Sequence, residues 1–230
     1  MRARYSALIA LVCAAVTARA QVGYPPAKSP YLDLTYSQEI TPIFGYYWSR
    51  VDPAGVAPKS APIVGLHYEW RAGGPAHLTG EIARIGSSRT VLDPSKGPAT
   101  RDLGEQSSPL WSADFGLGMS LTGSRSWHNL VPVIKAGAGF VSDFKKADVG
   151  GFKYGTRFAL TWGAALRYVP PGERFQIRAD WTNRLSSITY PDAYFRSPAT
   201  GVAPILTGRD KSVWRNNPAL TIGLSYLFSR

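Results

Sequence analysis

The chain has 230 residues, of which 44% are hydrophobic and 12% aromatic, and its formal net charge is +11. Beyond the N-terminal leader, no stretch is apolar over the 18 or more residues that a membrane-spanning helix requires, which excludes a helical membrane protein. The chain also contains 23 Gly and 18 Pro. This composition favours many short strands joined by turns, so we expect an all-β fold.

The N-terminal leader, residues 1–20, has the pattern of a secretory signal. Arg2 and Arg4 precede an apolar run, and residues 18–20 read Ala-Arg-Ala, a small-x-small cleavage site. The alternative is a retained anchor helix, but the apolar run is too short to span a bilayer. The one cysteine, Cys13, lies in this leader, so we expect neither a disulfide nor a thiolate metal site in the mature chain.

The next segment, residues 21–38, reads QVGYPPAKSPYLDLTYSQ. Pro25, Pro26 and Pro30 argue against a continuous strand, because proline cannot donate a backbone hydrogen bond to a sheet. We therefore expect this segment to be a periplasmic N-terminal extension, either a tail or a partial plug, before a barrel formed by residues 39–230.

From residue 39 onward, eight segments alternate between apolar and polar residues. In the clearest one, Trp111, Phe115 and Leu117 face one way, whereas Ser112 and Asp114 face the other. Each segment has about the ten residues that a tilted strand needs to cross a membrane. The predicted strands lie near residues 39–49, 64–71, 77–87, 110–122, 130–140, 158–168, 175–182 and 220–229.

The connections between these segments alternate in length. Three are short and carry Gly, Pro or Ser: residues 72–76, 123–129 and 169–173. Four are long: residues 50–62, 86–109, 142–156 and 185–218. Short turns on one rim and long loops on the other are typical of bacterial outer-membrane barrels, whose short turns face the periplasm. Both termini would then be periplasmic.

Alternation alone also fits a secreted soluble barrel or sandwich, so the contents of the polar face decide between the two. A soluble surface is usually rich in Lys and Glu. Here the polar face consists mainly of Gly, Ser, Thr and Ala, with a few charges of both signs, which suits the filled interior of a narrow barrel. We predict a charge network in the lumen, formed by Glu69, Asp114, Lys135, Arg167, Arg178 and Asp180.

Aromatic residues fall near both ends of the apolar face, as the girdles of membrane barrels do at the two interfaces. Those predicted at the long-loop rim are Trp48, Trp111 and Trp181; those at the short-turn rim are Trp70, Tyr168, Phe175 and Tyr226. Eight strands leave room only for side chains, so we expect a closed barrel. The alternative interpretation of the lumen charges is a narrow ion path.

The last strand carries the most specific resemblance. It reads LTIGLSYLF over residues 220–228 and ends in an aromatic residue, and the mature chain resembles the small eight-stranded outer-membrane barrels of the OmpA and OmpX type. The resemblance implies a monomeric, antiparallel up-and-down transmembrane β-barrel in the outer membrane of a Gram-negative-type bacterium. It also implies that Tyr226 and Phe228 form a C-terminal signal for the insertion machinery. Ser229 and Arg230 follow the Phe, which departs from the family pattern.

Some barrels of this kind modify lipids, which requires catalytic groups. An esterase needs a base, usually His, within reach of a serine. His77 and His128 are predicted at short turns and His67 in the lumen, none of them near the long loops. The chain resembles lipid A deacylase barrels in Asn217-Pro218, but residues 180–186 lack their His-x-Ser motif. We expect no catalytic residues, no cofactor and no metal site.

The long loops are basic. A contact with lipopolysaccharide phosphates is predicted for Lys145, Lys146, Arg209, Lys211 and Arg215, the alternative being ordinary solvated charge. Nucleic acid is not expected, because the basic residues are dispersed and the chain carries an export signal. The sequence thus favours a structural or surface-interaction role in the outer membrane. The alternatives are a narrow pore for small solutes and, after that, a lipid A-modifying enzyme.

Overall fold

The structure is a computed structural model that describes residues 29–228. Residues 1–28, which include the predicted signal peptide, lie outside the described part of the chain, and so do residues 229 and 230. The strands given below all lie within residues 31–228. Among residues 29–228 no helix is long and apolar enough to cross a membrane.

The described residues form twelve strands. In chain order they are β1 (Tyr31–Asp33), β2 (Gln38–Tyr47), β3 (Ala61–Gly73), β4 (Ala76–Ile85), β5 (Ser88–Leu92), β6 (Asp102–Ser107), β7 (Leu110–Ser120), β8 (Arg125–Trp127), β9 (Leu130–Ser142), β10 (Thr156–Tyr168), β11 (Phe175–Thr189) and β12 (Ser212–Phe228).

Eight of these strands form the barrel wall: β2, β3, β4, β7, β9, β10, β11 and β12. Each pairs antiparallel with its neighbour in this order, and β12 returns to pair with β2, for example at Ile222 opposite Phe44. The wall is therefore a closed, eight-stranded, up-and-down antiparallel barrel, and the predicted fold class is confirmed.

The side chains alternate as the sequence pattern predicts. On β7, Ser112 and Ser120 are buried inside the barrel, whereas Phe115 and Leu117 are more than 60% exposed on its outer surface. The same inversion recurs around the wall, with Phe44 on β2 and Phe158 on β10 also exposed. A soluble barrel would bury these side chains, so the outer surface of this barrel requires an apolar solvent.

The last two strands are longer than the sequence predicted. β11 has 15 residues and β12 has 17, so the connecting loop spans residues 190–211 instead of 185–218. The added segments pair directly, for example Ser187 with Trp214. The sequence missed them because their outer face is no longer consistently apolar, as expected where a hairpin rises out of the membrane.

Two further predictions were incomplete. The long connection 86–109 contains a separate hairpin, β5–β6. The extension at residues 21–38 is structured in its described part, because β1 pairs with β8 in the turn between β7 and β9. There the guanidinium of Arg71 donates to the backbone carbonyls of Leu34 and Tyr36 at 2.8 and 2.9 Å. Residues 31–37, which we term the strap, therefore pack on the short-turn end of the barrel.

Each end of the lumen is filled by a buried apolar cluster. The loop-side cap includes Tyr47, Ile63, Ile85, Leu110, Phe152, Tyr154, Ile188, Tyr190 and Tyr194. The turn-side cap consists of Leu34, Tyr36, Val131, Val133, Ala165, Val169 and Leu227. The strap contributes Leu34 and Tyr36 to the second cap.

Candidate functional site

The lumen between the two caps is filled with charged side chains. At its centre, Arg178 on β11 is fully buried and its guanidinium donates to Glu39 at 2.5 Å, to Glu69 at 2.8 Å and to Asp180 at 2.6 Å. Three strands, β2, β3 and β11, supply these groups because each places an inward-facing position at this level of the barrel.

A second arginine adds to the same cluster. Arg167 on β10 donates to Glu69 at 2.6 Å, to Glu39 at 3.3 Å and to the hydroxyl of Ser120 at 3.0 Å. Both arginines are completely buried, so the two glutamates lie between two guanidinium groups. Buried charges are stable only when paired in this way, since removing them from water costs several kcal/mol per ion.

The remaining charges extend the network toward the loops. Lys135 on β9 donates to Asp180 at 2.6 Å. Arg184 on β11 donates to Asp114 at 3.2 Å and also to Glu81. All six predicted lumen residues therefore lie inside the barrel. Five of them are joined through shared contacts, whereas Asp114 belongs to a second group with Arg184 and Glu81.

His67 on β3 connects these two groups. Its ring nitrogens lie 3.6 Å from Glu69 and 3.4 Å from Glu81. A small cavity of about 30 Å³ lies beside His67, Glu81 and Lys135. That volume holds one or two water molecules, so the side chains in this part of the lumen are closely packed.

Four further members of the network were not predicted from the sequence. Glu39, Gln176, Glu81 and Arg184 are all buried, and Gln176 donates to Glu39. A parity rule would have found two of them, because Gln176 and Arg184 keep the inward register of Arg178 along β11. Glu39 was taken only as a strand boundary.

The prediction that His77 lies at a turn was wrong. β3 continues to Gly73 and the turn is shorter than expected, so His77 is a buried lumen residue on β4. Its Nδ1 lies 2.7 Å from Glu69, and its Nε2 lies 2.7 Å from the hydroxyl of Ser120. This order of groups is that of a hydrolase triad. Here, however, Arg167 also contacts both the glutamate and the serine.

Three of these residues lie close enough to be considered as metal ligands. The potential ligand atoms of Glu39, His67 and Glu69 lie within 4.8 Å of one another, and all three side chains are buried. Both carboxylates already accept hydrogen bonds from Arg167 and Arg178. A cation would have to displace those guanidinium groups, so the arrangement fits an ion-pair network better than a metal centre.

The loop cations predicted to contact lipopolysaccharide are in different environments. Lys146 and Arg209 are exposed, and Lys145 donates to the carbonyl of Ser107. Lys211 pairs with the exposed Asp192 at 2.5 Å, and the Lys211 ammonium holds the pKa of that carboxyl below its usual value. The expectation that Arg215 is a loop residue was wrong, because it faces inward on β12 and is 6% exposed.

Aromatic side chains cluster at two levels of the outer surface. Midway along β11, the ring centroids of Trp181 and of Trp48, which follows β2, are 5.7 Å apart. At the turn end, Tyr226 lies 5.4 Å from Phe175 and 4.9 Å from Phe228. The two residues predicted to form the insertion signal thus face outward near the end of the last strand, next to each other.

Known proteins were compared with this chain at the level of sequence and of structure. No protein-family model matches the chain, and no curated protein matches it. Solved structures do. The outer membrane protein OprG from Pseudomonas aeruginosa is similar over 86% of this chain and 99% of that chain, at 15% identity and a TM-score of 0.55. The chain has the fold of an outer-membrane β-barrel protein.

Two structures of the Yersinia pestis protein Ail also match. One is a backbone structure in a phospholipid bilayer nanodisc, with 18% identity, coverage of 84% of this chain and 99% of that chain, and a TM-score of 0.40. The other is a crystal structure with the heparin analogue sucrose octasulfate, with 17% identity, coverage of 83% and 99%, and a TM-score of 0.39. At these identities the likeness concerns the fold.

Proposed function

We propose that this chain is a non-conducting outer-membrane β-barrel protein of a Gram-negative-type bacterium, whose long loops form a surface for interaction outside the cell. Both termini would be periplasmic, because the strap and the end of β12 lie on the short-turn side. The apolar outer wall, with Phe44, Phe115 and Leu117 exposed, supports a location in lipid.

One observation carries the non-conducting role: the lumen is closed at three levels. The loop-side cap and the turn-side cap are apolar, and between them Arg167 and Arg178 are fully buried among carboxylates. A hydrated ion path would have to open both caps and separate these pairs. Breaking one buried pair costs about 3–5 kcal/mol, so the open state is strongly disfavoured.

The second candidate, a narrow pore, is supported only by the presence of lumen charges. Planar-bilayer recording with the refolded mature chain, residues 21–230, distinguishes the two roles. The closed barrel predicts no steady single-channel conductance at either polarity. Steady conductance that changes in the Arg178→Ser variant would instead support the pore and would overturn the non-conducting role.

We also propose that exposed loop cations contact lipopolysaccharide phosphates. Lys146 and Arg209 support this best, because each is exposed and neither has an ion-pair partner among the described residues, whereas Lys211 already pairs with Asp192. Arginine and lysine bonds to phosphate are charge-assisted and correspondingly strong. The double variant Lys146→Ser/Arg209→Ser should weaken lipopolysaccharide binding to the refolded protein. Unchanged binding would contradict the contact.

For the insertion machinery we propose the outward-facing pair Tyr226 and Phe228 as the recognised signal, and we propose a monomer as the functional unit. The Phe228→Ala variant should assemble into membranes more slowly than wild type in a reconstituted insertion assay, whereas Phe44→Ala, a change to another outward aromatic, should not. Equal assembly rates of the two variants would contradict the signal.

A lipid A-modifying activity remains the least supported alternative. The contact between Ser120 and His77 is buried between the caps, and Ser120 also accepts a hydrogen bond from Arg167. We propose that this group is structural and that the protein is not an enzyme. Ser120 should then remain unmodified by a fluorophosphonate probe that labels activated serines. Stoichiometric labelling that the Ser120→Ala variant abolishes would contradict this role.

A further inference from the structure

The hairpin β5–β6 lies outside the barrel wall, and one edge of β6 is open. Within residues 29–228, β6 pairs with β5 and with no other strand. All six residues of β6 are exposed. An unpaired edge strand presents a row of free backbone groups that can accept another strand, and native proteins usually cover or blunt such an edge.

The hydrogen-bond pattern shows which groups face the open edge. The amide of Ser108 donates to the carbonyl of Ser87 at 2.8 Å, which fixes the phase of the ladder. Because the bonding direction alternates along an antiparallel strand, the backbone N–H and C=O of Glu105 and Ser107 point away from β5. The carbonyl of Ser107 already accepts a bond from the Lys145 ammonium, so this edge is within reach of the β9–β10 loop.

A groove of about 630 Å³ runs between β6 and the β9–β10 loop. Its walls include the apolar side chains of Val91, Leu103 and Val149, of which Leu103 is 46% and Val149 is 73% exposed. Apolar positions beside an open strand edge are what an incoming strand needs for its alternate side chains. The edge supplies affinity through the backbone, and these positions supply specificity.

The free charge of the groove is positive. Its two carboxylates are engaged, Glu105 with Lys59 and Asp148 with Arg89. Lys146 has no ion-pair partner in the described part of the chain, and the Lys145 ammonium donates to the Ser107 carbonyl and pairs with no carboxylate there. Long-range attraction therefore favours an acidic ligand over a basic one.

We propose that this groove binds an extended peptide with acidic side chains, which pairs as an added strand with the open edge of β6. The inference rests on the proposed surface-interaction role of the loops and names the class of partner. Backbone pairing with Glu105 and Ser107 accounts for the strand geometry, the apolar walls take one face of the peptide, and Lys145 and Lys146 take its carboxylates.

The test uses the refolded mature chain in zwitterionic detergent and isothermal titration calorimetry. The probe is a capped six-residue peptide in which Val and Thr alternate between terminal Glu residues. There are two control peptides. In the first, Lys replaces the Glu residues; in the second, alternate backbone nitrogens are methylated. We expect the acidic peptide to bind with a Kd below about 1 mM, and both controls to bind at least tenfold more weakly.

Matched variants separate backbone pairing from general attraction. Ser107→Pro removes one outward N–H, whereas Ser107→Ala keeps it. The first should weaken binding of the acidic peptide about tenfold and the second should leave it unchanged. Lys146→Glu should weaken binding several-fold at low salt and less at high salt.

Three results would overturn the proposal: no binding of the acidic peptide at 1 mM, equal binding of the methylated peptide, or equal affinity of Ser107→Pro and Ser107→Ala. Loss of lipopolysaccharide binding in Lys146→Glu without any peptide binding would also overturn it, since the groove would then serve phosphates. Gel mobility and bilayer conductance of the same samples test the closed barrel independently of peptide binding. Failure of the proposed function can therefore be distinguished from failure of the peptide-binding proposal.

Discussion

Arg178 lies between Glu39 and Glu69, donating to the first at 2.5 Å and to the second at 2.8 Å from one terminal nitrogen. The three residues come from β11, β2 and β3, and β12 lies between β11 and β2, where the last barrel strand pairs with the first. One guanidinium thus ties the beginning of the barrel to its end. The stability of the closed wall should depend on this residue more than on other lumen cations.

Replacing Arg178 by Met should destabilise the barrel strongly. Glu39, Glu69 and Asp180 would each lose a buried partner, and breaking a buried pair costs about 3–5 kcal/mol. The matched control is Lys135→Met, which removes only one contact, to an Asp180 that Arg178 still holds. Urea unfolding followed by tryptophan fluorescence measures both. Equal losses in the two variants would contradict the central place of Arg178.

The lumen should be inaccessible to small charged reagents. Since residues 21–230 contain no cysteine, a single Ser225→Cys reporter can be placed on β12, where the native side chain is fully buried beside Thr41. We expect its reaction with a cationic methanethiosulfonate to be slow in the intact protein. Adding Tyr36→Ala, which opens the turn-side cap, should accelerate the reaction at least tenfold.

The opposite pattern would be informative. A reporter at Ser225 that reacts rapidly without the Tyr36 change would show that the cap leaks. A cysteine at Val51, a highly exposed position in the loop between β2 and β3, serves as the control for reagent activity in detergent.

Stability should fall at alkaline pH because of buried phenols in the caps. Burial raises the pKa of Tyr36 and of Tyr154 to about 12 from an unfolded value near 10. A neutral group whose folded pKa is raised contributes stability below pH 10, and that stability is lost as the pH rises from 10 to 12. For one tyrosine the loss amounts to about 2–3 kcal/mol.

The Tyr36→Phe variant tests this effect. It retains the ring in the cap and removes the titrating hydroxyl, which has no hydrogen-bond partner among the described groups. Its unfolding midpoint should therefore fall less than that of wild type between pH 10 and 12. If the unfolding midpoints of the two proteins fell equally between pH 10 and 12, ionisation of Tyr36 would not be a cause of the alkaline loss of stability.

Close strand packing should make Gly163 intolerant of a side chain. A Cβ added there would overlap the carbonyl oxygen of Trp181 on the neighbouring strand, so the backbone would have to move. Gly80 is the matched control, because a Cβ at that strand position meets no atom within 4 Å. Gly163→Ala should lower the yield of refolded barrel and Gly80→Ala should not, as judged by gel mobility. Equal yields would argue against tight contact between β10 and β11.

The barrel wall could be predicted from the sequence because its constraint is local. Each strand must present apolar residues to lipid at every second position, so Trp111, Phe115 and Leu117 are enough to mark β7 and its outward face. The same parity identified Arg167 and Arg178 as lumen residues. The alternation of residues does not show how far each strand is shifted along the barrel axis. That shift determines which partner each charged side chain meets across the lumen.

The missed features lie where the lipid constraint ends. Arg184 and Arg215 sit on segments of β11 and β12 that carry less regular alternation, and the sequence placed Arg215 in a loop. β1 has only three residues and pairs with β8 far along the chain, so no alternation of apolar and polar residues predicts it. His77 was misplaced because one strand ran further than its apolar face. In each case distant pairing, not local alternation, determined the structure.

Heat modifiability of the refolded mature chain, residues 21–230, tests the central claim most directly. The protein would be refolded in detergent micelles and its gel mobility compared with and without boiling, alongside circular dichroism. A closed membrane barrel predicts a mobility shift on boiling and a β-rich spectrum in detergent, because its exposed apolar wall requires micelles or lipid. Solubility in plain buffer without a mobility shift would contradict it, since the outward Phe115 and Leu117 would then have to be buried in a core.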